Sequence, residues 1–198
     1  MEFGSRVRFA AFTVVGIIVL ILAFWGISSA LHNIFSGSSK SNAPVAQSIK
    51  LDDYIKPSVF VRITVQGPVV ANEQYDSYQI EVGQNYRTLK TFNGYTNTIT
   101  SQKDLTNNQT AFTTFMKALK RYNFTSKIKG SGDDETGFCA VGNRYIYEIY
   151  DANVQKFRSW GSSCSNTTGT STASGSSVRA LFQKQIPDVD KLLEKVNI

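Results

Sequence analysis

From Phe9 to Leu31 the chain runs FAAFTVVGIIVLILAFWGISSAL without one charged residue, and this stretch constrains the arrangement of everything after it. At about 1.5 Å rise per residue, a helix of this length crosses a hydrocarbon core about 30 Å thick. A helix packed inside a soluble domain keeps a polar stripe, and this one has none. Arg6 and Arg8 precede it, whereas His32 to Ser39 carry no Lys or Arg. Cationic flanks stay in the cytoplasm, so we expect a cytoplasmic N-terminus over residues 1–8, a transmembrane helix over 9–31, and the rest outside. Ser28-Ser29-Ala30 has the small residues of a signal-peptidase site, but a cleaved signal has an apolar core of only about 7–15 residues. An uncleaved, single-pass signal anchor in the cell membrane is therefore expected.

Residues 32–50 are dominated by small and polar side chains without a period and read as a flexible tether. Its core of about a dozen residues has a reach of roughly 20 Å, which would keep residues 51–198 close to the bilayer as an extracytoplasmic domain. In that domain Val59, Val61, Ile63 and Val65 alternate with Phe60, Arg62, Thr64 and Gln66, the period of a strand with one buried face. Tyr78–Val82 repeats the pattern, and a third strand follows around Arg87–Phe92. Asn93-Gly94 predicts a type I′ hairpin into a Thr-rich strand from Tyr95 to Gln102, polar on both faces as an edge strand is.

A helix is expected next, with Thr106 and Gln109 at capping-box spacing and Phe112, Phe115, Met116, Leu119 and Tyr122 on one face. Arg144–Tyr150 and Val154–Trp160 predict a second hairpin turning at Asp151-Ala152-Asn153. Gly161–Ser177 is low in complexity and reads as a mobile loop apart from Cys164. Two apolar helical patterns close the chain, interrupted at Pro187. The expected fold is α+β: an antiparallel sheet of about six strands packed with two or three helices.

Several chemistries can be set aside on residue types alone. The single histidine, His32, lies at the membrane boundary, so the outer domain has no imidazole for Ser-His-Asp or Cys-His catalysis or for a His-bearing zinc site. Cys139 and Cys164 lie at nearly equal distances from the second hairpin's turn, and an oxidising compartment allows them to form a structural disulfide. Asp133-Asp134-Glu135 departs from the calcium-loop order and reads as solvated charge. No metal or cofactor is expected. The chain's net charge is +6; Arg6, Arg8 and Lys40 against Glu2 account for two of those charges, leaving four on the outer part. That mild excess suits an anionic envelope polymer, whereas nucleic acid would want a denser basic cluster.

The hairpin mixes aromatic rings with cations, and Arg144, Tyr147, Lys156, Arg158 and Trp160 are the predicted binding residues. The same pattern also serves to fill cores and pair across rungs.

Taken together, the apolar anchor, Gly67-Pro68-Val69, Cys139 with Gly142-Asn143-Arg144-Tyr145, Phe157-Arg158 leading to Cys164, and Leu181-Phe182-Gln183-Lys184-Gln185-Ile186-Pro187-Asp188 resemble uncharacterised, membrane-anchored envelope proteins of the Saccharibacteria. The resemblance implies a bacterial cell-surface setting and no particular activity. The leading expectation is a noncatalytic module that binds an envelope polymer or a protein partner. Two alternatives are a subunit of a membrane assembly and an envelope hydrolase built on carboxylates or a Ser/Lys pair.

Overall fold

The computed structural model describes residues 46–128, 132–167 and 169–198. The expected cytoplasmic segment, the helix over 9–31 and most of the tether lie outside the described residues. Among the described residues, no helix is long and apolar enough to cross a membrane.

The described residues form an α+β domain built on a six-stranded antiparallel sheet. Its strands are β2 (Val59–Gln66), β3 (Asp76–Gly83), β4 (Tyr86–Asn93), β5 (Thr98–Thr106), β7 (Arg144–Asp151) and β8 (Val154–Ser162), in the order β5-β4-β3-β2-β7-β8. β2 lies at the centre because its alternation is the cleanest: Val59, Val61, Ile63 and Val65 are all buried. Each such side chain contributes about 1.5–3 kcal/mol on burial. The register sets Ile63 opposite Ile80 on one side and Tyr147 on the other, so one face of the sheet is apolar across neighbouring strands. β5, polar along most of its length, is the edge strand the sequence predicts.

Helices cover the apolar face. In α1 (Gln109–Arg121), Phe112, Phe115, Met116 and Leu119 recur at helical spacing and are buried. α2 (Gly175–Gln183) adds Val178 and Phe182. Phe182 packs edge-on against Phe115 at 5.1 Å, joining the two helices, and Phe124, just past α1, meets both Phe182 at 5.9 Å and Tyr147 of β7 at 5.8 Å. The chain breaks at Pro187 as expected, and Asp188, at φ 57°, redirects it into the short α3 (Val189–Leu193).

Four expectations are corrected. The helix cap is Asn108, whose side chain accepts from the Ala111 N–H at 2.9 Å, because Thr106 is still held in β5. The β4–β5 turn is longer than a two-residue type I′ turn. Gly94 and Asn97 take the positive φ angles, and Tyr95 leaves the strand to stack on Tyr75 at 4.1 Å. The tether ends earlier than residue 50, since β1 (Ala46–Ser48) pairs with β6 (Ser126–Ile128) in a separate two-stranded sheet. Three-residue strands carry too little pattern to be read from sequence.

The fourth correction concerns the low-complexity stretch, which is packed into the domain. The N–H groups of Thr170 and Ser171 both donate to the Trp160 carbonyl at 2.8 Å, and a single bridge pair joins Ser171 to Lys127. Gly169 adopts φ +73°, where a side chain would overlap the Trp160 carbonyl. The expected disulfide joins Cys139 to Cys164 and staples the loop before β7 to the segment after β8.

Candidate functional site

The sheet divides the predicted binding residues between its two faces. On the face away from the helices, the register aligns Asp104, Thr88, Glu81, Arg62, Glu148 and Arg158 in one row across all six strands. The Arg62 guanidinium pairs with Glu81 at 2.9 Å and with Glu148 at 3.6 Å. It also lies 4.6 Å from the centre of the Tyr150 ring, which itself stacks on Phe60. Arg158 pairs with Glu135 at 2.7 Å and with Glu148 at 3.7 Å. These cations and aromatic faces are already engaged within the domain, so the row acts as a clasp across the sheet.

Arg144 and Trp160 anchor the loop that precedes β7. Arg144 is buried and donates to the Gly67 carbonyl at 2.6 Å and to the Gln66 side chain at 3.1 Å. Trp160 is 4% exposed, packs against Phe138 at 5.3 Å, and donates through Nε1 to the Gly132 carbonyl. Lys156 is exposed and shares a shallow groove of about 220 Å³ with Lys127, Asp133 and Arg158. There Lys127 holds Asp133 at 2.7 Å. The acidic loop thus serves neighbouring cations, and no cluster of three potential metal ligands occurs among the described residues.

Tyr147 is on the opposite face and leads to a different site. With Tyr145, Gly161, Ser162, Ser171, Ala173, Gly175, Ser176 and Arg179, it lines a cavity of about 300 Å³ beside the start of α2. Three strands of local logic assemble this cavity. Tyr145 and Tyr147 stand opposite Gly161 and Ser159, and Gly161, lacking a side chain, leaves the floor open. The Trp160 backbone holds Thr170 and Ser171 as a rim. Ser174 donates its N–H to the Tyr122 carbonyl, which sets where α2 begins.

The polar groups of the cavity are incompletely partnered. Tyr147 is 1% exposed, and its hydroxyl has no hydrogen-bond partner among the described residues; Ser159, directly across the strand pair but outside the lining, likewise has none. Burial pushes the Tyr147 phenol well above its ordinary pKa, with Tyr145 adding to the rise and Arg179 opposing it. Ser174 does not cap α2 with its side chain, which faces the Ser177 hydroxyl at 3.1 Å instead. The first-turn N–H groups therefore stay free of a side-chain cap, and no acidic residue occupies that turn.

Arg179 stands four residues after Gly175, on the same side of the helix. Its guanidinium lies 5.4 Å from the centre of the Tyr145 ring and donates to that hydroxyl at 3.3 Å. No carboxylate among the described residues forms a salt bridge with it. The lining offers N–H, O–H and guanidinium donors, with no carboxylate, amine or imidazole beside them. Such a set can hold a ligand by its acceptor atoms and has no side chain suited to take a proton from a serine.

Of the five predicted residues, only Tyr147 reaches this cavity. Gly175-Ser176 is masked by the run of Ser, Thr and Gly around it, and Arg179 by the apolar helical pattern that follows. The available signal was Ser-Gly-Ser-Ser immediately ahead of an apolar helical pattern, a helix start carrying a cation one turn in. Comparison with known protein families, curated proteins and solved structures finds no match to this chain.

Proposed function

We propose that the chain is a membrane-anchored, extracytoplasmic binding module that takes an envelope polymer or a protein partner without transforming it. The observation that carries this reading is the cavity at α2, a concave site lined by hydrogen-bond donors and lacking a general base. A hydrolase would need a proton acceptor within reach of a nucleophile, and Ser162, Ser171 and Ser176 have none in the cavity lining. A second groove, beside Lys156, offers Lys127, but Asp133 and the Arg158 carbonyl already occupy its ammonium group. The anchor, the tether and the mild positive charge support an envelope setting.

The test uses full-length protein in a maltoside detergent, mixed with envelope material from the source cells. The expected result is retention of one envelope component, recovered with its length unchanged. Release of shortened fragments would mean catalysis, and retention of nothing would remove the module reading. In intact cells, added protease should remove the domain while sparing cytoplasmic markers.

A further inference from the structure

We infer that the cavity at the start of α2 is a phosphate-ester site. The inference rests on the binding-module reading for the origin of its ligand and on the cavity's own chemistry for the ligand's class.

The first argument is electrostatic. A helix start carries the equivalent of about half a positive charge, and helices ordinarily place acidic residues there and cations at the far end. α2 lacks the usual acid: its first turn is Gly175-Ser176-Ser177, and Arg179 follows one turn in. Helical side chains lean towards the N-terminus, so the guanidinium adds to the positive end of the helix. With no carboxylate paired to Arg179 among the described residues, an anion held there would relieve this concentration of like charge.

The second argument is the orphaned hydroxyl. Tyr147 is almost fully buried, lines the cavity, and has no partner for its O–H among the described residues. A Cβ placed on Gly175 would sit 3.3 Å from that oxygen, so the phenol reaches the first residue of the helix. Buried hydroxyls without partners are uncommon, and one aimed at a helix start is placed to donate to whatever binds there.

The third argument is stoichiometry. A carboxylate has two oxygens, and a single Arg together with two N–H groups can satisfy it. Ser162 spends its hydroxyl proton on the Thr167 carbonyl, but the cavity adds the Tyr147 phenol and the hydroxyls of Ser171 and Ser176, a set better matched to the three terminal oxygens of a phosphate monoester. A volume of about 300 Å³ exceeds what a bare phosphate fills, leaving room for the esterified group against Tyr145 and Ala173.

The experiment titrates full-length protein in maltoside detergent, which carries no phosphate, with inorganic phosphate, glycerol 3-phosphate, acetate and glycerol, by calorimetry. Saturable binding of glycerol 3-phosphate, tighter than that of inorganic phosphate and absent for glycerol, is expected. Arg179→Gln and Tyr147→Phe should each weaken it about tenfold, with far-ultraviolet dichroism unchanged. Acetate binding as tightly as glycerol 3-phosphate would overturn the phosphate assignment. So would an absence of saturable phosphate binding, or binding that ignores both substitutions. Should Arg179→Gln disturb folding, Tyr147→Phe alone decides, because it removes one atom from a group with no partner among the described residues.

Competition identifies the source. Displacement of glycerol 3-phosphate by phosphatidic acid in mixed maltoside micelles marks a lipid headgroup, and displacement by purified envelope polymer bearing phosphate monoesters marks the polymer; either upholds the site. Envelope retention without phosphate binding sinks this inference and leaves the module, whereas phosphate binding without envelope retention does the opposite.

Discussion

Replacing Tyr147 by Phe removes one oxygen from a buried position, and the partnerless state of that oxygen among the described residues sets the expected sign of the effect. Most core substitutions destabilise. Here the wild-type phenol has given up water without gaining a protein partner, a situation that costs about 1–3 kcal/mol. Water reaching the adjoining cavity would offset part of that, so a gain of about 1 kcal/mol is expected for the ligand-free variant, or a rise of about 2–4 °C in Tm for a chain of this size. Tyr78 supplies the control. It is equally buried, but its hydroxyl accepts from Gln183 Nε2 at 3.2 Å, so Tyr78→Phe strands a donor and should cost about 1 kcal/mol.

Thermal and urea melts in detergent, without phosphate, would compare the two variants. Adding glycerol 3-phosphate to a hundred times its wild-type Kd should then stabilise wild type by about 2.7 kcal/mol and a tenfold weaker variant by about 1.4 kcal/mol, cancelling the variant's advantage. If Tyr147→Phe lowers Tm as far as Tyr78→Phe does, the phenol has a partner in the folded state and the reasoning about the cavity fails.

Reducing the Cys139–Cys164 bridge, or replacing both cysteines by Ser, should lower stability by about 3.5 kcal/mol from loop entropy; urea midpoints with and without reductant measure this, and coincident curves would show the loop is held by other contacts. Gly169→Ala should cost more than 1–2 kcal/mol, because φ +73° already disfavours a side chain and the new methyl meets both the Trp160 carbonyl and Gly161 Cα; a melt matching wild type would mean the segment is loose. Alkali should destabilise the domain as pH rises from 10 towards 12. Burial lifts Tyr78 from its ordinary 10 to about 12 and raises Tyr147 as well, so the unfolded chain releases those protons first; stability is full below 10 and falls above it. Tyr147→Phe should flatten part of that fall, and an unchanged alkaline limb would place the loss elsewhere.

How much of this was legible in the sequence depended on how far each signal reached along the chain. β2 could be read outright because four apolar residues at every second position leave no other way to bury them. α1 followed from five apolar residues on one face, and the disulfide from the equal arms of a hairpin. The failures lie where long-range pairing overrides local pattern. β1 and β6 exist through each other, and Ser171 is held by Trp160 and Lys127, neither of which its neighbours announce. The aromatic and cationic residues of the second hairpin were legible as a group but not as faces, because the pleat sends Tyr147 to the helices and Arg158 to the opposite side. A strand alternation that is apolar on one side and aromatic or charged on both cannot say which side the loop before β7 will cover.

The position of the cavity gives a stretch with so little apparent information a physical role. A site that wraps an anion in backbone N–H groups wants side chains too small to block the approach and hydroxyls able to donate, which is a composition of Gly, Ser and Thr. The same composition is what a solvated linker uses, so pattern alone cannot separate the two. What separates them is the backbone. Thr170 is buried with its hydroxyl accepting from the Trp160 N–H at 3.1 Å, and Thr172 donates its N–H to the Ser126 carbonyl at 3.0 Å. A linker would gain nothing from ordering residue after residue at a cost of about 1–2 kcal/mol each, whereas a rim that must hold a helix start against a buried phenol requires that order.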